Sequence, residues 1–299
     1  EIISLFSGFY SQQYGALPEA VTNWLGSKVQ SISLNGPTPL LKLWKEFVKK
    51  YKLKDETLSF SALLKEKGIE GLVAIGGNGT FTGAEIFYNE FKIPTVGAPG
   101  TIDNDLFGTD YTIGYDTAVN TALDAIDKIR DTADSHDRVF FIEVMGRDSG
   151  YIAIECGIAG GAEAVMIPEN LTPVSDIVSI LQKGFAKAKS SSIVVVAEGD
   201  EEGNAQIIAK KIKESMNAEL DIRVTTLGHI QRGGIPTASD RILASRLGLG
   251  ALEGLLRGEK NVMAGVVNNQ LVYTPFHDTI TKKKPVSEDL IRMVEILST

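Results

Sequence analysis

Gly71-Leu72-Val73-Ala74-Ile75-Gly76-Gly77-Asn78-Gly79-Thr80 leads, through a helix-like stretch, to Ile93-Pro94-Thr95-Val96-Gly97-Ala98-Pro99-Gly100-Thr101-Ile102-Asp103-Asn104-Asp105. The first apolar run reads as a buried strand entering a glycine turn. A helix over 81–91 and a second strand over 93–96 follow, so the segment is a βαβ unit with a right-handed parallel crossover expected. In an open α/β sheet, ligands sit beyond the carboxyl ends of the strands, which is where both glycine-bearing loops fall. The loop after the second strand carries Thr101, Asp103 and Asp105, a hydroxyl and two carboxylates two residues apart. One carboxylate could act as a base while the other holds a cation. Asp and Asn are also ordinary turn formers, so a plain Asp-rich turn is the competing reading. Likewise, backbone amides of the 76–80 turn with a helix N-terminus behind them would cradle phosphate, or form a strand-to-helix turn with no ligand.

Outward from this unit, strands and helices alternate along the whole chain. Strands are expected at 1–6, 139–144, 164–167, 192–197 and 222–227, with a hairpin at 262–267 and 270–273 around Asn268-Asn269. Helices are expected at 21–25, 40–51, 59–67, 116–132, 176–189, 207–216, 238–256 and 289–297. The pattern indicates an α/β protein with mainly parallel sheets.

Composition narrows the function. At 299 residues and 43% hydrophobic, the chain can bury a large core, and two domains are expected. No apolar run approaches the ~20 residues that span a bilayer, and no signal-like segment stands at the start, so no membrane partner is expected. A net charge of -8 and a pI near 5.1 argue against nucleic-acid binding. One cysteine, Cys156, excludes an internal disulfide framework and fits a cytoplasmic protein. With only His136, His229 and His277 present, a Cys/His metal site is not expected. The 30 glycines cluster at strand ends, as loops closing on a ligand would require.

Four expected strand ends present polar groups: Asp103 with Asp105; Arg147; Glu198; and Arg223 with His229 and Arg232. Arginines on glycine loops suit a sugar phosphate, because guanidinium binds phosphate bidentately while a carboxylate accepts sugar hydroxyls. At this point the sequence resembles the bacterial-type ATP-dependent 6-phosphofructokinases. The resemblance rests on Gly-Gly-Asn-Gly-Thr (76–80), Pro-Gly-Thr-Ile-Asp-Asn-Asp (99–105), Met-Gly-Arg (145–147), Ala-Gly-Gly-Ala-Glu (159–163) and Leu-Gly-His-Ile-Gln-Arg-Gly-Gly (227–234). It runs from about Gly71 to the C-terminus. A lone 76–80-type loop also occurs in NAD kinases and lipid kinases, which lack the other segments.

The resemblance implies the phosphofructokinase fold, two similar three-layer Rossmann-like domains facing each other across the active cleft, with a nucleotide-side domain over 1–114 plus 227–277 and a sugar-phosphate-side domain over 115–226 plus 278–299. It implies phosphoryl transfer from Mg-ATP to the 1-hydroxyl of fructose 6-phosphate, a step of glycolysis, with Mg²⁺ as the cofactor. Asp103 would be the base, Thr101 would position the transferred group, Asp105 would help hold Mg²⁺, and Arg147 would stabilise developing charge. Met145, Gly146, Glu198, His229 and Arg232 match the fructose 6-phosphate site. Arg138 and Arg223 match arginines reaching the sugar phosphate from a neighbouring subunit, which implies a homo-oligomer, usually a tetramer. Gly76, Gly77, Asn78, Gly79 and Thr80 match the nucleotide loop, with Phe9 placed to stack on adenine. Gly79 and Gly100 stand where pyrophosphate-using relatives typically carry Asp and Lys, which implies ATP as the donor. Arg130, Glu163, Lys187 and Lys189 match part of the allosteric nucleotide site.

The pattern also departs from the family. Its first βα unit, with a glycine-rich phosphate loop, has no counterpart, so the chain is expected to begin at the family's second strand. Asn78 replaces an aspartate that organises Mg-ATP, Leu43 stands near a family arginine, and Ser191 stands where a histidine is often found. These departures fall on the nucleotide and effector sides. They leave as the alternative a catalytically impaired paralogue or fragment that binds fructose 6-phosphate as a regulatory or assembly subunit. A purely structural use of the fold is a third reading, against which the Asp103, Arg147 and Arg232 set argues.

Overall fold

The computed structural model describes residues 2–7, 29–34, 68–133, 138–186, 191–216 and 220–297. The helices expected at 21–25, 40–51 and 59–67, and the positions of Phe9, Leu43, Lys187 and Lys189, lie outside the described residues. The chain divides into two units: Glu1–Thr101, Leu106–Ile113 and Arg241–Lys284 form unit 1, and Ile102–Asp105, Gly114–Asp240 and Pro285–Thr299 form unit 2.

Unit 1 holds β1 (Ile2–Ser7), β2 (Val29–Leu34), β3 (Gly71–Gly76), α1 (Asn78–Phe91) and β4 (Thr95–Pro99). The strands order as β10-β9-β4-β3-β1-β2, where β9 (Val262–Val267) and β10 (Gln270–Pro275) form the antiparallel hairpin and the other pairings are parallel. One face of this sheet packs Val73, Val96 and Ala98 against Leu247 and Ala251 of α6 (Ala238–Leu256). The other packs Ala74 and Met263 against Phe81 and Phe276, whose rings stack at 5.1 Å. Gly97 is required here: a Cβ on it would lie 2.5 Å from Phe81 and 2.7 Å from Phe276.

Unit 2 is built on the parallel sheet β6-β7-β5-β8, with β5 at Arg138–Val144, β6 at Ala164–Met166, β7 at Ser191–Ala197 and β8 at Asp221–Thr226. Alternating residues of β5 and β7 face opposite layers. Phe140, Ile142, Ile193, Val195 and Ala197 pack with residues of α2 (Tyr115–Ala133) and α3 (Tyr151–Ala159). Val139, Phe141, Val194 and Val196 pack with Ile177, Leu181, Ile208 and Ile212 of α4 (Val174–Ala186) and α5 (Ala205–Met216). Each fully buried side chain of this size contributes about 1.5–3 kcal/mol. Beyond α6 in the chain lie α7 (Phe276–Thr281) and α8 (Glu288–Leu297).

Three findings differ from the sequence reading. First, α1 begins at Asn78 rather than Phe81, because Gly77 serves as the N-cap residue and its carbonyl accepts from Thr80 and Phe81. Asn78, Gly79 and Thr80 are thus the first turn of the helix. Second, α3 is absent from the sequence expectations: Tyr151, Ile152, Ala153, Ile154, Cys156 and Gly157 are all buried, and with Glu155 as its one charged residue the helix shows no clear amphipathic period. Third, Ile102–Asp105 and the 227–240 turn group with unit 2. Ser149 Oγ donates to the Asp103 carbonyl at 2.9 Å, Met145 N donates to Gln231 Oε1 at 3.2 Å, and Gly114 N donates to Asp240 at 2.8 Å.

Candidate active site

In unit 1, sheet register places two loops side by side. Gly76 pairs with Pro99, and Gly100 N donates to the Gly76 carbonyl at 2.9 Å, so the glycine turn and Thr101 leave adjacent strands together. A Cβ on Gly77 would meet the Thr101 side chain at 3.3 Å, whereas a Cβ on Gly79 would meet nothing within 4 Å. The Thr101 carbonyl accepts from Thr112 Oγ1 at 2.6 Å. The first turn of α1 carries no acidic residue, which leaves its amide end favourable to an anion.

In unit 2 the same logic brings three loops together. Val144 pairs with Ala197, and Glu143 with Thr226; Glu198 N then donates to the Val144 carbonyl and Leu227 N to the Glu143 carbonyl, both at 3.0 Å. Met145-Gly146-Arg147, Glu198-Gly199 and the 3₁₀ turn Gly228–Arg232 therefore leave neighbouring strand ends. Glu198 Oε1 accepts from Arg147 N at 2.8 Å and from Gly146 N at 3.3 Å. A Cβ on Gly199 would lie 1.9 Å from the Arg147 carbonyl oxygen, so only glycine permits this approach. Gly146 sits at φ 146° and Arg147 at φ 54°, a left-handed conformation unfavourable for a side-chain-bearing residue.

Asp103 is buried and its Oδ2 lies 3.9 Å from Arg147 Nε, so the carboxylate and the exposed guanidinium form one ion pair. Asn104, between the two carboxylates, adopts φ 52°, and Asp105 is half-buried. His229 is exposed and Arg232 half-buried on the 3₁₀ turn. Among the described residues no group of three or more His, Cys, Asp or Glu side chains could hold a metal ion alone. Cys156 is fully buried among apolar side chains, which pushes its thiol up to about 12; it stays protonated and is no nucleophile.

Two expected site residues stand apart from these loops. Arg138 opens β5 and pairs in register with Asp221, which opens β8, and Arg223 lies two residues further along β8. Met145, in contrast, follows the last residue of β5, which at about 3.3 Å per residue is roughly 20 Å away. Of the effector candidates, Arg130 donates to the carbonyls of Gly160 and Gly161, and Glu163 accepts from Ile193 N; both engage the backbone of their own unit.

Sequence reasoning assigns no role to Gln231 or Asp240. Gln231 is 1% exposed and bridges Met145 N to the Gly228 carbonyl. Asp240 is fully buried and accepts from Gly114 N, Thr117 N and Thr117 Oγ1, satisfying the start of α2 from a distant part of the chain. A polar residue between Ile230 and Arg232, and an acid at the opening of α6, are the only signals.

The phosphofructokinase family model matches residues 6–255. An ATP-dependent 6-phosphofructokinase of Cytophaga hutchinsonii is 63% identical over 235 residues, covering 79% of this chain and 71% of the relative. One from Thermus thermophilus is 54% identical over 237 residues, covering 79% and 73%. A crystal structure of Pichia pastoris phosphofructokinase superposes with a TM-score of 0.80 over 99% of this chain and 41% of that one; at 21% identity it bears on the fold alone. Two sheets of this topology, loops meeting at these strand ends, and identity of this extent all agree: the chain belongs to the phosphofructokinase family.

Proposed function

We propose that the chain transfers the γ-phosphoryl group of ATP to the 1-hydroxyl of fructose 6-phosphate, giving fructose 1,6-bisphosphate and ADP. The observation that carries this reading is the unit 2 loop cluster, where Glu198 clamps the Arg147 backbone while the Arg147 guanidinium faces Asp103. Asp103 takes the proton of the 1-hydroxyl as its oxygen attacks the γ-phosphorus. The bond to the bridging oxygen breaks, and ADP leaves with that electron pair. Arg147 stabilises the charge developing on the transferred group, and Thr101 positions it. With Oε1 engaged by the backbone, Glu198 offers Oε2 to a sugar hydroxyl, beside Met145, Gly146, His229 and Arg232. Gly76, Gly77, Asn78, Gly79 and Thr80 receive the nucleotide phosphates.

Mg²⁺ suits the residues present. It commonly enters such sites on one or two carboxylates plus substrate phosphates, and Asp105 beside Asp103 offers that donor set. When bound, it would neutralise charge on the β- and γ-phosphate oxygens.

Arg138 and Arg223 serve the sugar phosphate of a neighbouring copy. Their position at the opposite end of the strands from Met145 supports this, because a hexose phosphate does not span a seven-residue strand. The site is then completed by a homo-oligomer, a tetramer by family resemblance. Arg130 and Glu163, with Lys187 and Lys189, form part of an effector site, and the enzyme works in the cytoplasm; no helix among the described residues is long and apolar enough to cross a membrane. Donor choice is tested by measuring fructose 1,6-bisphosphate formation with Mg-ATP against Mg-pyrophosphate. Turnover with ATP alone is expected from Gly79 and Gly100, and turnover with pyrophosphate alone would refute the donor assignment.

A further inference from the structure

The Arg138–Asp221–Arg223 triad carries more than two separate anion contacts. Arg138 Nε donates to Asp221 Oδ2 at 2.7 Å. Arg223 approaches the same carboxylate with Nε 2.8 Å from Oδ1 and Nη2 3.2 Å from Oδ2. The arrangement follows from register: Arg138 pairs with Asp221 across the ladder, and Arg223, two residues on, shares the face of Asp221 on an edge strand. The side chains are partly exposed, at 23% for Arg138, 42% for Asp221 and 57% for Arg223. Arg223 first, and Arg138 second, hold the Asp221 carboxyl below the ordinary carboxylate value.

The pairing leaves specific donors over. Arg138 meets Asp221 through Nε and Arg223 through Nε and Nη2, and among the described residues no further hydrogen bond engages the Nη groups of Arg138 or Nη1 of Arg223, which leaves those donors for a ligand. Two guanidinium groups with no carboxylate between them would repel and splay, each on a long, rotamer-rich stem. With Asp221 present they form one fork of net charge +1, which suits an incoming phosphate.

We propose that Asp221 is a positioning residue that holds Arg138 and Arg223 as a preformed fork for the phosphate of fructose 6-phosphate. This rests on the assignment of those two arginines to the sugar phosphate under Proposed function. Asp221 does not touch the phosphate; as an anion it would oppose that contact. Its effect is to remove the ordering cost of two long side chains at the moment of binding, while solvent screens its repulsion toward the ligand.

The experiment compares KM for fructose 6-phosphate, KM for ATP, kcat and thermal midpoint in the full chain and in Asp221→Asn, Asp221→Glu and Arg223→Ala. The expected result is a rise in sugar-phosphate KM of about fivefold for Asp221→Asn, with kcat and the ATP KM unchanged and substantial recovery in Asp221→Glu. Inorganic phosphate as a competitor should weaken in parallel. If Arg223→Ala raises the sugar-phosphate KM while Asp221→Asn leaves it unchanged or lowers it, the positioning role is overturned and the arginine assignment survives. If Arg223→Ala leaves that KM unchanged, the underlying assignment fails and the proposal falls with it.

Discussion

Glu198→Ala and Glu198→Gln separate two tasks that one side chain performs. Its Oε1 accepts from the amides of Arg147 and Gly146 at 2.8 and 3.3 Å, and the amide of Gln can keep both bonds through its own oxygen. Hydrogen bonds to a charged group are worth about 1.5–3 kcal/mol, but Glu198 is exposed, so about 1 kcal/mol is the expected stability loss in the Ala variant. That value is comparable to the ~1–2 kcal/mol a non-glycine residue spends in the left-handed region, where Arg147 sits at φ 54°. Without the clamp the loop can relax and carry the guanidinium away from Asp103. A displacement near 1 Å costs on the order of 100-fold in rate. Initial-rate assays of fructose 1,6-bisphosphate formation, with fructose 6-phosphate titrated, should show kcat about 100-fold down for Glu198→Ala. For Glu198→Gln they should show kcat within about threefold of the parent and sugar KM up about tenfold, roughly 1.4 kcal/mol. Equal kcat values in the two variants would refute the clamp as the device that positions Arg147.

Three further outcomes follow from packing and charge. Gly97→Ala forces a Cβ to 2.5 Å from Phe81 and 2.7 Å from Phe276, and should cost about 1–3 kcal/mol in denaturant unfolding; a neutral result would mean the stacked rings move freely. Asp240→Asn turns one of the two accepting oxygens into an NH₂, which then faces either the Gly114 amide or the Thr117 amide and hydroxyl that now donate, and should cost about 3 kcal/mol, read from the same unfolding curves. Burial raises the Asp200 carboxyl above its ordinary 3.8, so the folded state binds the proton more tightly than the unfolded state and stability falls as pH rises from 3.8 through the folded value. Asp200→Asn keeps an acceptor for Glu202 N, which now bonds Asp200 Oδ1 at 2.9 Å. It should therefore raise the thermal midpoint at pH 7, with the gain vanishing below pH 3.8; a loss at pH 7 would contradict this.

Where residues announce themselves by local pattern, the sequence is sufficient. The apolar runs of β3 and β5 and the Asn268-Asn269 hairpin are all short-range signals, and each lies where it is expected. The glycine turn after β3 is shorter than its sequence suggests, because α1 starts at Asn78. The mostly apolar α3 and the six-residue α7 give no usable period. The order of the site loops is also readable, but not their pairing, because register decides that Val144 faces Ala197. Gln231 and Asp240 act through partners distant in the chain, as Asp221 does toward Arg138 though not toward Arg223, and nothing in their own neighbourhoods names those distant partners. Gly199 is the same case: its need for a missing side chain is visible only once the Arg147 carbonyl lies against it.

The most direct test of phosphoryl transfer is ADP release by the purified chain with Mg-ATP, with and without fructose 6-phosphate, alongside Asp103→Asn. Release that requires the sugar phosphate and disappears in the variant is the predicted result. No sugar-dependent release from a folded chain that still binds fructose 6-phosphate would contradict it, leaving a sugar-phosphate-binding subunit without catalysis.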